Sequence, residues 1–397
     1  MCGMEYTKRA EELERWIISC YEHLHRCPEL GFQEWKTAEF IESELNKMDG
    51  MEVSRPCKTG VMGILRGVHP GRTVAFRADI DALPLEELAE VSYASWEKGV
   101  MHACGHDGHA AMLLGAAKLL SEQREELSGE IRFIFQPAEE ILPGGAVRMI
   151  EGGVLEGVEQ IFGAHLDVLH PVNSFGICAG PLMASSASFE IKVEGKGGHA
   201  AFPFQTVDTV YIAAQIIIAV QAIVTRNISA VDRAIITITE LKGSQASNVI
   251  PAEVRLGGTI RVLDTECEEI LRKRLAEVVR GCCETWGAEG SITFSTGLHA
   301  LVNQPDLLPA VESAVRKCPG TRLYEDTPVL GGEDFAEYLQ KVPGCYYKVG
   351  ARPESGEVYP HHNPRFHLNE KALAKGAAVC AQLLTDAAAS SEEQGRL

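Results

Sequence analysis

Residues 101–114 read Met-His-Ala-Cys-Gly-His-Asp-Gly-His-Ala-Ala-Met-Leu-Leu: three histidines, a cysteine and an aspartate fall within eight residues, and helix formers follow to about Leu120. Gly105 and Gly108 allow tight backbone paths, and Asp107 is placed to cap the helix. Cys104 then stands beside a helix N-terminus, where the partial positive charge favours thiolate. A thiolate with imidazoles one or two residues away makes a metal corner. A buried structural cysteine at a polar helix start competes with that reading, as does a cysteine nucleophile with a histidine base.

The flanking text repeats one grammar. Two charged helices, 5–25 and 34–49, precede short apolar runs at 61–65 and 73–77, bounded by Gly and Pro, that read as buried strands. Helix 106–123, strand 130–135, helix 145–151 and strand 160–164 follow. Alternating strands and helices predict an α/β domain with a mostly parallel sheet and helices on both faces. Three strands run out onto Asp79 and Asp81, Glu139 and Glu140, and His165. Ligands in open α/β sheets bind beyond the carboxyl ends of strands, so these groups point to one joint site.

From residue 186 the pattern changes to strand 188–193, helix 206–225, strands 234–242 and 252–262, helix 266–286 and strand 291–294. That order, β-α-β-β-α-β, predicts an inserted ferredoxin-like lid or dimerisation domain at 186–296. The catalytic domain is then 1–185 with 297–397, resuming at helix 306–317, strand 345–349 and helix 370–388, with hinges near 184–187 and 296–300 and a disordered polar tail.

At 397 residues the chain exceeds one ordinary core, and a net charge of −18 argues against nucleic acid or an anionic membrane as partner. No stretch nears the ~18 apolar residues of a membrane span. The charged N-terminus lacks an apolar signal core, and 12 cysteines stand without a pairing pattern, so a cytoplasmic protein with reduced thiols is expected.

Glu139 and Glu140 leave a strand just past Pro137, where neighbouring residues point to different sides; one can bind metal while the other stays free to move a proton. A cysteine hydrolase would not need Glu139, Glu140, His165 and the distant pair His361-His362. A structural zinc would need four closed ligands and no free carboxylate. The excess of ligand types fits two metals sharing a ligand better.

The motifs His102-Ala-Cys-Gly-His-Asp-Gly-His109, Gln136-Pro-Ala-Glu-Glu140, Arg77-Ala-Asp-Ile-Asp-Ala-Leu-Pro84, Gly197-Gly-His-Ala-Ala201, Ser247-Asn-Val-Ile-Pro251, Gly332-Glu-Asp-Phe335 and His362-Asn-Pro-Arg-Phe366 resemble the M20 metallopeptidase clan in its amidohydrolase branch, over about residues 20–385. That branch includes hippurate hydrolases, N-acyl-amino-acid deacylases, N-acetyldiaminopimelate deacetylases and plant auxin-conjugate hydrolases. The resemblance implies a metal-dependent amidohydrolase acting on N-acyl-L-amino acids, with two divalent ions per subunit: Zn²⁺ first, with Mn²⁺, Co²⁺ or Ni²⁺ open. It implies Cys104 as the bridge, His106, Glu140, His165 and His362 as further ligands, and Glu139 as general base and acid. His362 is chosen over His361 because it precedes Asn-Pro. Asp81 would support a ligand, His102 and His109 would be supporting residues, and Glu333-Asp334 would shape the site floor. His199 would polarise the scissile carbonyl across a homodimer interface made by the lid, and Asn248 and Arg261 would hold the substrate carboxylate. Leu166-Asp167-Val168 replaces the usual aromatic and proline, and Asp167 is a candidate acceptor for a dipeptide's α-amino group. A dipeptidase or carboxypeptidase of the same clan, and a non-catalytic metal-binding dimer, are the alternatives; an intact Glu139 argues against the latter.

Overall fold

The computed structural model describes residues 6–389, Gln245 and Thr296 apart. Thr296 in the expected second hinge and nearly all of the polar tail therefore lie outside the described residues. The chain gathers into two compact units. One holds the residues to Gly180, Val302–Thr327 and those from Asp334 on; the other holds Pro181–Leu301 and, by a short return, Pro328–Glu333.

The first unit is built on an eight-stranded sheet in the order Met51–Ser54, Val61–Arg66, Ser128–Gln136, His69–Asp79, Gln160–Asp167, Gly344–Gly350, Ser174–Ile177, Arg322–Glu325. The three junctions among its four central long strands are parallel. Antiparallel pairs lie toward both edges. Period-two alternation divides the faces. Val74, Phe76, Phe133, Phe135, Phe162 and Leu166 share one core with helices Tyr6–Arg26, His106–Ser121 and Lys371–Ala388. The opposite parity, Arg77, Gln136 and Gly163, faces the short helices Gly145–Glu151 and Phe335–Leu339; a Cβ on Gly163 would lie 3.0 Å from the Phe335 ring.

Helix His106–Ser121 is apolar nearly all round because it is buried nearly all round. Gly115 lets it sit against two neighbours at once: a Cβ there would lie 2.9 Å from both Ala377 and Ile17. Its N-terminus is thus pinned at the carboxyl ends of the parallel strands, which is where the chemistry collects.

The second unit has a four-stranded antiparallel sheet in the order Ala234–Lys242, Glu253–Val262, Ser185–Glu194, Glu289–Phe294. With helices Thr209–Asn227 and Thr265–Thr285 between strands, this is the ferredoxin-like order. Phe189, Ile191, Val193, Val254, Leu256 and Ile260 pack on the helices. Glu190, Lys192, Glu194, Glu253 and Arg255 alternate with them and form exposed ion pairs, each worth little. One correction to the sequence reading arises here. Helix Thr209–Asn227 is long and apolar enough to cross a membrane, by length and composition only. In the fold its Ile212, Ala213, Ile216, Val220 and Ile223 are buried against the sheet, and Asp208 caps it by accepting from Val210 and Tyr211 N–H.

Candidate metal centre

Cys104 leads into helix His106–Ser121 through Gly105, whose left-handed backbone (φ 87°) starts the helix without a side-chain cap. Asp107 does not cap it, against expectation. Its Oδ1 accepts the next residue's N–H, and its Oδ2 lies 2.5 Å from His25 Nδ1. Burial opposes a charge on His25, yet Asp107 and Glu87 outweigh it and raise the imidazole to about 9.

The ligand-type atoms converge. Those of Cys104, His106 and His165 lie within 4.8 Å of one another, and so do those of Cys104, Glu140 and His362. Cys104 belongs to both groups, the arrangement two ions sharing a thiolate require. The imidazoles of His106 and His165 are oriented from behind, as metal-binding histidines usually are. His106 Nδ1 donates toward Asp81, 3.0 Å from its carbonyl and 3.1 Å from Oδ1, so Nε2 faces the cluster. His165 Nδ1 donates to Leu166 O at 2.8 Å, leaving Nε2 3.5 Å from Cys104 Sγ. His362 Nε2 lies 2.9 Å from Glu140 Oε1.

Two nearby histidines are otherwise engaged. His109 donates to Asp79 (2.5 Å) and accepts Leu166 N–H (2.9 Å). His361 Nε2 donates to Leu166 O at 3.0 Å, and burial lowers it to about 4. Of the adjacent pair, His362 is the one turned to Glu140. It sits at φ 64°, a strained conformation of the kind that collects at functional sites.

Glu139 and Glu140 do not diverge as expected. The strand ends at Gln136, Ala138 adopts φ 53°, and both carboxylates come within 4.8 Å of His106. Asp81 holds that turn as well, since its Oδ2 accepts Glu140 N–H at 3.0 Å. Glu139 Oε1 faces the backbone N–H of Asp334 at 3.4 Å. His165, expected just past its strand, lies within it, because Gln160–Asp167 runs three residues beyond the expected end at Ala164.

The donor set fits divalent cations. Burial pushes the Cys104 thiol up against the pull of His106, and a bound cation would reverse that. Burial also works against a charged His106, but Asp79 and Cys104 outweigh it and hold the group well above its ordinary value. Burial lowers His165, aided by His109 and His361, the direction that favours the neutral ring a metal needs. Thiolate, carboxylates and neutral imidazole together are the ligands of a cation site.

The sequence reading gave no role to Arg77, which is the hub beneath this cluster. Its guanidinium is 1% exposed and reaches Gln136 Oε1 (2.8 Å), Asp79 Oδ2 (2.6 Å) and Asp334 Oδ1 (2.5 Å). Asp334 also accepts from Gln136 Nε2 and Ala146 N–H. Burial raises Asp79, but His106, His109 and Arg77 outweigh it and hold the carboxyl well below its usual range. A charged residue inside an apolar strand was the available signal. Asp167 is corrected too. Buried, it accepts Leu169 N–H (2.8 Å) and bonds His170 (2.8 Å), so it closes a turn and does not face a ligand.

In the second unit, His199 lies on the short strand Gly198–His199, paired with Val249–Ile250, and Ala200 N–H donates to Asn248 O. His199 and Asn248 are therefore neighbours, both exposed. Arg261 is at the far end of Glu253–Val262, where its Nη1 donates to Ile260 O. Eight residues of strand, about 26 Å at 3.3 Å per residue, separate Arg261 from the end nearest Asn248. Within one lid the two therefore lie toward opposite ends of that strand.

A two-ion ligand set at the carboxyl ends of a parallel sheet, running from buried His106 out to exposed His362 and beside a carboxylate, is the layout of a dinuclear metal hydrolase. Residues 75–386 match the model of peptidase family M20/M25/M40, and the chain belongs to that family. It is 43% identical over 303 residues to the N-acyl-L-amino acid amidohydrolase of Geobacillus stearothermophilus, covering 76% of this chain and 82% of that protein. It is 41% identical over 378 residues to thermostable carboxypeptidase 2 of Saccharolobus solfataricus, covering 94% and 95%. The crystal structure of the Bacillus subtilis YXEP protein, described as a dinuclear metal binding peptidase of the M20 family, superposes with a TM-score of 0.85 at 35% identity, covering 95% of this chain and 98% of that one.

Proposed function

We propose that the protein hydrolyses the amide bond of N-acyl-L-amino acids, releasing a carboxylate and the free amino acid. The observation that carries this reading is Cys104 shared between two ligand groups, with Glu139 at their edge. Cys104, His106 and His165 would hold one ion, and Cys104, Glu140 and His362 the other. When bound, the ions supply Lewis acidity toward the attacking water and the scissile carbonyl. Glu139 accepts the water's proton and returns it to the amide nitrogen as the bond breaks. His199 donates toward the carbonyl oxygen as negative charge develops there. Arg261 receives the α-carboxylate through its planar fork. Asn248 is the second group for the α-carboxylate, and His199 acts across the dimer in the partner subunit's site.

Homodimerisation through the lid is supported by the exposed apolar residues Val210, Tyr211 and Ile218 on its first helix and Ile235 and Leu241 on its edge strand. Thiolate and imidazole suit Zn²⁺, with Mn²⁺, Co²⁺ or Ni²⁺ as alternatives. A reducing cytoplasmic setting is supported by the described cysteines, all of them free, including the adjacent Cys282 and Cys283.

Carboxypeptidase activity is the second reading, favoured by the Saccharolobus relative. Both substrate types carry a free carboxylate beyond the scissile amide and differ on the acyl side. Asp167, the candidate acceptor for a dipeptide's α-amino group, is turned inward and engaged by Leu169 and His170. In a panel of N-acetyl, N-benzoyl and longer N-acyl amino acids against unblocked dipeptides, the acylated compounds should show the higher kcat/KM. Cleavage of dipeptides with the acylated compounds left intact would reverse the assignment.

A further inference from the structure

The segment that leads into helix Trp35–Leu45 belongs to none of the motifs above, yet it reaches the centre of the site. Glu34 is fully buried and does not cap the helix it precedes. Its Oε1 instead accepts the backbone N–H of Ala138 at 2.9 Å. Ala138 is the left-handed residue from which Glu139 and Glu140 emerge. Its own carbonyl accepts from Gly145 N–H at 2.9 Å, so both backbone polar groups of this one residue are held.

Packing closes the same spot. Ala138 is fully buried, and a Cβ on Gly31 would lie 3.1 Å from the Ala138 side chain and 2.5 Å from Ile141. The segment is also tied to the opposite loop: Glu29 O accepts Ala82 N–H at 2.9 Å, one residue from Asp81. Residues 29–34 thus join the loop carrying Asp81 to the loop carrying Glu139 and Glu140. A non-glycine residue at positive φ is strained, and a hydrogen bond to a carboxyl group helps to hold it there. Burial raises the Glu34 carboxyl to about 7, against the effects of its own backbone N–H, of Thr59 and of the Ala138 N–H.

We propose that Glu34 is a positioning residue for the hydrolysis: its carboxyl holds the left-handed turn at Ala138 from which Glu139 and Glu140 converge on the ligand cluster. The proposal rests on the reading of Glu139 as base and Glu140 as ligand. Glu34→Leu removes the acceptor at similar volume. It should lower kcat by about 10²-fold, the scale of an ångström's misplacement, with KM little changed. Glu34→Gln, whose amide oxygen can accept the same N–H, should keep most of the wild-type rate. Adding Ala138→Gly to Glu34→Leu should recover part of the loss, because glycine takes positive φ without strain.

A readout independent of turnover is titration of the metal-free protein with Co²⁺, followed by thiolate charge-transfer and d–d absorption. The second equivalent should bind at least about tenfold more weakly in Glu34→Leu, the first should be little affected, and Glu34→Gln should titrate like wild type. Glu34→Ala, which leaves room for water, carries the same expectation should the leucine variant fail to fold. Wild-type kcat and titration in Glu34→Leu or Glu34→Ala would overturn the proposal, as would equal damage from Glu34→Gln. Glu139→Gln in the same assays separates the two levels. If it stays active, the reading of the base falls and this proposal with it; if it is inactive while Glu34→Leu behaves as wild type, only the role of Glu34 falls.

Discussion

Glu139→Gln should lower kcat by at least the ~10²–10⁴-fold typical of general acid–base catalysis, while the protein still binds its metal ions. The substitution keeps volume and shape and can still accept the N–H of Asp334, 3.4 Å from Oε1. It removes only the capacity to take up a proton and return it. The ligand groups around Cys104 do not depend on Glu139, so metal content should be unchanged. KM should move little, because the lost interaction is made in the transition state and not with bound substrate. Glu140→Gln is the control one residue away. It should lower metal affinity, since Glu140 sits among the ligand atoms with Cys104 and His362. Near-normal turnover in Glu139→Gln would show that another group is the base.

The largest expected effect on stability is at Arg77. Arg77→Met fits the volume of the buried stem but strands two carboxylates, Asp79 and Asp334, both 0% exposed. Breaking a buried charge pair by removing one partner typically costs about 3–5 kcal/mol. The first unit's denaturation midpoint should fall accordingly, with the second unit's own transition serving as internal reference. Arg77→Lys should rescue little, because one ammonium cannot reproduce the fork that reaches Gln136, Asp79 and Asp334 at once. Activity should fall as well, since Asp79 orients His109 and the Asp334 N–H faces Glu139. A loss below about 1 kcal/mol would place Arg77 among ordinary salt bridges and remove it from the frame of the site.

The metal corner was legible because its residues are chemically conspicuous; Cys104, His106, Glu140, His165 and His362 are drawn into one cluster. The β-α-β-β-α-β order was equally legible, since alternation marks a sheet covered on one face. What escaped was long-range. Asp107 reads locally as a cap, but His25, 82 residues away, claims it. Asp167, a candidate substrate acceptor by sequence, is instead claimed locally, since Leu169 and His170 use both its oxygens. The convergence of Glu139 and Glu140 depends on a left-handed alanine held by Glu34, 104 residues upstream. Asn248 and Arg261 look alike as substrate-binding candidates until strand register puts the length of the sheet between them. Short strands such as Met51–Ser54 and Arg322–Glu325 give too few residues for a period to show.

The claim on which the rest depends is that amide hydrolysis runs on two ions held around Cys104. Bound divalent metal per subunit and hydrolysis of an N-acyl amino acid should be measured on one preparation: as isolated, after exhaustive chelation, and during stepwise re-addition of Zn²⁺ or Mn²⁺. The account predicts two ions per subunit, loss of activity with the metal, and recovery on refilling, with Cys104→Ser failing to recover both ions. Hydrolysis that persists in protein free of metal, or a Cys104→Ser variant that fills and works as wild type does, would contradict it.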